Sequence, residues 1–486
     1  MKNFEFHINA FGPRMNGAKL KISLALLIIF TLFLEGCASL PLFKHDFKKM
    51  FTPHLSRIED NPVIIIPGMI GSRLVDGKTG KMAWGSLRTS QIFRLSERED
   101  IALPIDSLPI GDNRDDIVSK GIIDRYEFPI EIIEFTVYRE LLYMFEEIGY
   151  RLGDIRNPKP EDNLYVFDYD WRRDNVENAK ILAERIEHIK KVAKNPHMRF
   201  NLLCHSMGGL IGRYYMRYGG RDVLGQSPNF KVTCEGAKNI KRLILIGIPN
   251  LGSMPVFEYL HKGLDLTIVK YPPYIMFTMP SIYQLLPPRY INSFVDENGD
   301  YVEIDLYDIQ NWKKFDWSVY SEKINAGIKS RYKVRFKDDW EAEFKAFEVK
   351  RDRFIEAALK RADLFHKALN FKSKRKIPCE IILFGGDMVW TKNKAILAKD
   401  KKSGKWQTYF WDRRLSEKIL MPGDGIVTRE SLLGVPVAST TKNSWADSPI
   451  EISFALFVAR RHENIHKDAT FQNNLLHILL GDWDNL

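Results

Sequence analysis

Residues 202–212 read LLCHSMGGLIG, and they hold the clearest chemistry in the chain. An apolar run (Phe200, Leu202, Leu203) leads into His205-Ser206-Met207-Gly208-Gly209, and an amphipathic run follows (Leu210, Ile211, Tyr214, Tyr215). This order predicts strand, sharp turn and helix, with Ser206 at the apex. A hydroxyl so placed projects from the top of a sheet, beside the amide N–H groups of a helix N-terminus. That arrangement suits a nucleophile whose tetrahedral oxyanion needs stabilising. Cys204 stands in the first glycine position of the G-x-S-x-G pattern and is small enough for the turn to close. The plain alternative for Ser206 is a helix N-cap.

Serine is a poor nucleophile unless a neutral imidazole takes its proton and a carboxylate orients that imidazole. Two aspartates fit. Asp387 follows the strand-like EIILF through Gly385-Gly386, and Asp424 lies in Gly423-Asp424-Gly425 after a hairpin expected over 406–412. Glycines on either side let the backbone turn tightly and bring a carboxylate close to an imidazole N–H. Local physics leaves the two nearly level. For the base, His466 directly precedes a helix expected over 469–480 and would project from a loop. His462 ends the run FALFVARRH, which reads as regular structure, so His466 is the expected base. No His/Cys cluster has metal-ligand spacing, and PGMIGS lacks the lysine of a phosphate loop, so neither metal nor cofactor is expected.

These side chains need a scaffold. Pro62-Val63-Ile64-Ile65-Ile66 is a short β-branched run that reads as a buried parallel strand, with PGMIGS as the turn after it. Further strands are expected at 164–167, 200–204, 242–248 and 380–384, with a helix marked by Ala179, Leu182, Ile186, Ile189 and Val192. Strands alternating with helices indicate a mostly parallel sheet covered on both faces. Residues 75–125 show no sustained period and are expected to form a lid-like loop region. Residues 254–378 interrupt the alternation. Their late part carries a stripe (Trp340, Phe344, Phe347, Phe354, Ala358, Ala362, Phe365, Leu369) expected either to pack on its own domain or to cap the site.

The chain has 486 residues, 45% hydrophobic and 12% aromatic, enough for a large core and an insertion. Its net charge is +10. The basic residues are interspersed with acids, which favours a membrane surface over nucleic acid. Lys19 and Lys21 precede the apolar run Ile22 to Leu34, and Glu35-Gly36-Cys37-Ala38-Ser39 follows. This is the pattern of a signal peptide over 1–36, with Met15 an alternative start, and the run is short for a transmembrane span. Leu34-Glu35-Gly36-Cys37 resembles the lipobox of bacterial lipoproteins, with Glu35 unusual there. The resemblance implies lipidation of Cys37 and a linker over 37–60. Ala38 after the cysteine then implies the outer membrane, on the periplasmic side of the cell envelope. Residues 1–36 carry four basic and two acidic side chains, so the remainder keeps +8. Three cysteines remain, Cys204, Cys234 and Cys379: Cys204 reads as a packing residue, and a Cys234–Cys379 bond stays open.

Six segments together resemble the lecithin:cholesterol acyltransferase and lysosomal phospholipase A family. They are PVIIIPGMIGSRL (62–74), YVFDYDWRRD (165–174), HSMGGLIGRYYM (205–216), IGIPNLGS (246–253), GDGIV (423–427) and His466 before an apolar helix. They come in the family's order, with Ile426 where threonine is common. The match is thin in 75–125 and 254–378. The resemblance implies an α/β-hydrolase fold, its core split into 61–253 and 379–486 by a helical cap insertion over 254–378. It implies Ser206 as nucleophile, Asp424 rather than Asp387 as acid, His466 as base, and the amides of Met69 and Met207 as the oxyanion hole. The expected activity is acyl-ester hydrolysis on a lipid or phospholipid, with transfer to an alcohol or sterol as the alternative. A catalytically silent binding lipoprotein is the remaining class. A monomer that binds no nucleic acid is expected.

Overall fold

The computed structural model describes residues 46–59, 61–85, 100–126, 135–136, 138–227, 229–266, 269–373, 376–435, 448 and 450–481. Cys37 and the signal-like segment lie outside them, as do residues 86–99 of the expected lid.

Seven strands build the central sheet: β1 (Val63–Ile66), β2 (Leu152–Gly153), β3 (Leu164–Val166), β4 (Phe200–His205), β5 (Ile240–Ile246), β6 (Glu380–Gly386) and β7 (Phe454–Val458). They run in the spatial order β7-β6-β5-β4-β1-β3-β2, every neighbouring pair parallel. An all-parallel sheet must be buried on both faces, and the side chains alternate accordingly. Ile64, Ile66, Leu202, Cys204, Leu243 and Leu245 enter one core. Val63, Ile65, Leu203, Ile244, Ile246 and Phe384 enter the other.

Five helices matter here: α1 (Asn175–Val192), α2 (Met207–Tyr218), α3 (Glu322–Phe336), α4 (Trp340–Asn370) and α5 (Ala469–Leu480). The first core takes the buried stripes of α1, α2 and α4, and the second takes Phe471, Leu475 and Leu476 of α5. Asp174 caps α1 by accepting from the Val176 amide, and Asp468 caps α5 through the Thr470 and Phe471 amides.

The apolar stripe of α4 is built into the main core, where Phe354, Ala358, Ala362, Phe365 and Leu369 are buried. Its C-terminal end is tied to α2: Arg213 Nη2 donates to Leu369 O (3.0 Å) and Tyr218 Oη to Ala368 O (2.7 Å). Phe47–Leu486 is one compact unit.

The expectation of loop over 75–125 needs correction. Ser72–Asp76 pairs antiparallel with Met82–Trp84 and with Ile117–Ile122 in a three-stranded sheet. Both pairings contain a register shift. A bulge breaks the period-2 alternation by which a strand is recognised. Cys204, Cys234 and Cys379 are free thiols, so no Cys234–Cys379 bond forms. No helix of the described residues is long and apolar enough to cross a membrane.

Candidate active site

The site lies at the carboxyl ends of the parallel strands, where open α/β sheets place their ligands. Ser206 follows β4 directly, and its amide donates to Ile246 O of β5 (2.7 Å). Its backbone has φ +52° and ψ −125°. A non-glycine residue there is strained by about 1–3 kcal/mol and persists only where its surroundings impose it. The surroundings here are tight: a Cβ on Gly208 would stand 2.5 Å from the Ile66 and Pro67 carbonyls, so α2 could not otherwise approach β1. Cys204 packs its sulfur toward Gly212, and burial pushes its thiol pKa far up, so it is a packing residue.

The turn after β1 faces the serine. The Cβ position of Gly68 is 2.8 Å from Ser206 Cβ. Ile70 has φ +60°, a marked outlier for a β-branched residue. Tyr169, from the YDW segment, donates its hydroxyl to Pro67 O (2.8 Å) and braces this turn. Met207 opens α2 immediately after the serine. Met69 and Met207 thus stand on the two segments that flank Ser206. No hydrogen bond of either amide is formed among the described residues.

The aspartate that reaches the site is Asp424, not Asp387. It follows the strand Leu420–Gly423, which pairs with Val389–Lys392 in an excursion between β6 and β7. It is fully buried. Oδ1 accepts from the amides of Ile426 (3.0 Å) and Val427 (2.7 Å), and Oδ2 faces His462 Nδ1 at 2.8 Å. Asp387 is ion-paired with Arg429 (3.2 Å) instead.

The placement expected for His466 needs correction. His462, not His466, spans the gap, with Nε2 2.9 Å from Ser206 Oγ and Nδ1 on Asp424. Its own amide donates to Asp424 O (2.9 Å). Gly247, at φ +58°, leaves room for the ring: a Cβ there would lie 3.1 Å from His462 Cε1 and Nδ1. Burial disfavours the imidazolium, but the Asp424 carboxylate outweighs it, and the His462 pKa stands above the ordinary imidazole value.

His466 is completely buried one turn further on, stacked on Tyr138 with ring centroids 5.0 Å apart. The physical reason for the exchange is the end of β7. The strand stops at Val458, so Ala459-Arg460-Arg461 is the exit loop and His462 begins the short helical turn beyond it. The polar Arg460-Arg461 break was the available signal.

A parallel sheet of this order, with a strained serine between β4 and its helix, is an α/β-hydrolase fold. A family model described as lecithin:cholesterol acyltransferase matches residues 127–378, just over half of the chain. The chain belongs to that family. Membership supports an activity on acyl esters of lipids, by hydrolysis or by acyl transfer. A search of curated proteins returns no match. Among solved structures, a chain of the Tle4–Tli4 complex is similar over 87% of this chain and 99% of its own, with a TM-score of 0.50 and 12% identity. At that identity the likeness speaks for the fold.

Proposed function

We propose that this protein is a serine hydrolase of membrane-lipid acyl esters, phospholipase A-like, working through an acyl-enzyme on Ser206. The observation that carries the reading is His462, hydrogen-bonded at once to Ser206 Oγ and to Asp424. Asp424 accepts from Nδ1–H and leaves Nε2 free of a proton, ready to receive the one on Oγ. Oγ then attacks the ester carbonyl carbon. The Met69 and Met207 amides would hold the oxyanion. Collapse expels the alcohol, which takes its proton from His462 Nε2–H. Water, activated by the same nitrogen, attacks the acyl-serine and releases the fatty acid. The large exposed side chains Met388 (72%) and Trp390 (67%) support a lipid substrate. They flank Val389 in sequence, and Val389 bridges through its backbone to Asp424.

The test is product analysis on purified protein with phospholipid vesicles. Ser206→Ala should keep the fold and lose turnover by several orders of magnitude. Substantial fatty-acid release by the folded variant would remove the mechanism. Acyl transfer to an added alcohol or sterol, at the expense of free fatty acid, would make the enzyme a transferase using the same serine. In the same proposal the protein acts as a monomer, anchored by lipidated Cys37 to the periplasmic side of the outer membrane. Radiolabelled palmitate should enter wild type and not Cys37→Ser, and equal labelling would sink the anchor alone.

A further inference from the structure

Behind the serine, buried polar groups form a chain that the proposed acyl-transfer chemistry leaves unused. The Gly68 amide donates to Tyr138 Oη (3.0 Å). That oxygen lies 2.7 Å from His205 Nδ1, and His205 Nε2 lies 3.3 Å from the His462 carbonyl oxygen. The directions of these bonds are determined by elimination. The His462 carbonyl can only accept, so Nε2 of His205 carries the proton. Burial, together with the neighbouring His462 and His466, keeps His205 well below the ordinary imidazole pKa and therefore neutral. Nδ1 is then an acceptor, and the Tyr138 hydroxyl donates to it. Every donor and acceptor along the line is matched: Gly68 N–H to Tyr138 O–H to His205 to the His462 carbonyl.

We infer that Tyr138 and His205 are positioning residues, holding the oxyanion turn and the base loop in register with each other. The two ends of the chain are the evidence. Gly68 immediately precedes Met69 and lies against Ser206. His462 is gripped on its other side by Asp424 through both ring and amide. The bonds to the Gly68 amide and the His462 carbonyl therefore brace the peptide groups next to the oxyanion donor and the base. His466 stacks on the Tyr138 ring (5.0 Å) and contacts His205 edge-on (5.4 Å), so the line is packed as well as bonded. This role rests on the serine mechanism proposed above.

The experiment compares wild type, Tyr138→Phe, His205→Phe and the double variant on a soluble p-nitrophenyl ester, with melting temperature followed alongside. Each single change breaks the same line and should lower kcat about tenfold, the scale of one buried hydrogen bond. KM should stay within about twofold, since no substrate contact is lost. The double variant should be no slower than the slower single, because a line cut twice is no more broken than one cut once. Wild-type kcat in Tyr138→Phe, or losses that multiply in the double variant, would overturn the inference. So would a loss confined to melting temperature or to KM. If His205→Phe does not fold, Tyr138→Phe decides alone by its kcat. Failure of the serine mechanism would instead appear as turnover surviving in Ser206→Ala.

Discussion

Replacing Asp424 by asparagine tests the site where its geometry is most specific. The carboxylate is buried, and Oδ1 accepts two backbone amides, from Ile426 and Val427, at 3.0 and 2.7 Å. Those amides can only donate, so the asparagine oxygen must take the Oδ1 position. The NH2 group is thereby forced into the Oδ2 position, 2.8 Å from His462 Nδ1 in the parent. It donates to Nδ1 and stabilises the tautomer protonated on Nε2, which cannot accept the Ser206 proton. The ring stays in place in the wrong protonation state. The expected loss in kcat is about 10⁴, equivalent to ~5 kcal/mol of transition-state stabilisation. The assay is kcat on a soluble ester, with circular dichroism to establish that the variant is folded. Asp387→Asn is the companion and should stay near wild type, since it loses only an exposed pairing with Arg429. A folded Asp424→Asn within tenfold of wild type, or a large loss in Asp387→Asn, would refute the reasoning.

Three further outcomes are expected. His462→Ala should fall to the activity of Ser206→Ala, whereas His466→Ala should lose chiefly stability, about 3 kcal/mol for a buried ring, by thermal melting; the reverse ranking in kcat would restore His466 as base. Because His462 must be neutral to act, and Asp424 raises its pKa, kcat/KM should fall on acidification with a midpoint above the ordinary value of 6.5. The same shift stabilises the fold below the unfolded value of about 6.5, and that contribution is lost as pH rises through the folded value. Activity and this part of the stability therefore move oppositely with pH, and an NMR titration of His462 with a midpoint below 6.5 would contradict both. Gly247→Ala should cost about 1–3 kcal/mol for its positive φ and lower kcat by crowding the His462 ring, read from a melt and a rate together; a variant with wild-type values for both would show that the turn is not constrained.

What was legible in the sequence was local. Strand, serine turn and helix at 200–218 are contiguous, and apolar alternation is a direct imprint of the face each side chain must bury. The fold class followed from strands such as VIII and LILI, whose unbroken apolar character fits a doubly covered parallel sheet. Asp424 was narrowed to two candidates by glycines that permit a tight approach, and family resemblance chose between them.

What only the tertiary structure decided is which groups meet across long stretches of chain. The bond from His462 to Ser206 joins residues 256 positions apart. Nothing in the spacing of His462 and His466 tells which ring faces the serine; the length of β7 and the carbonyl held by His205 do. Bulged pairing hid the sheet around Ser72–Asp76 for a related reason: its register is written in the partner strands. Local pattern determines what a segment can become. Contacts between distant segments, each worth little until the chain has closed, determine which side chain does the chemistry.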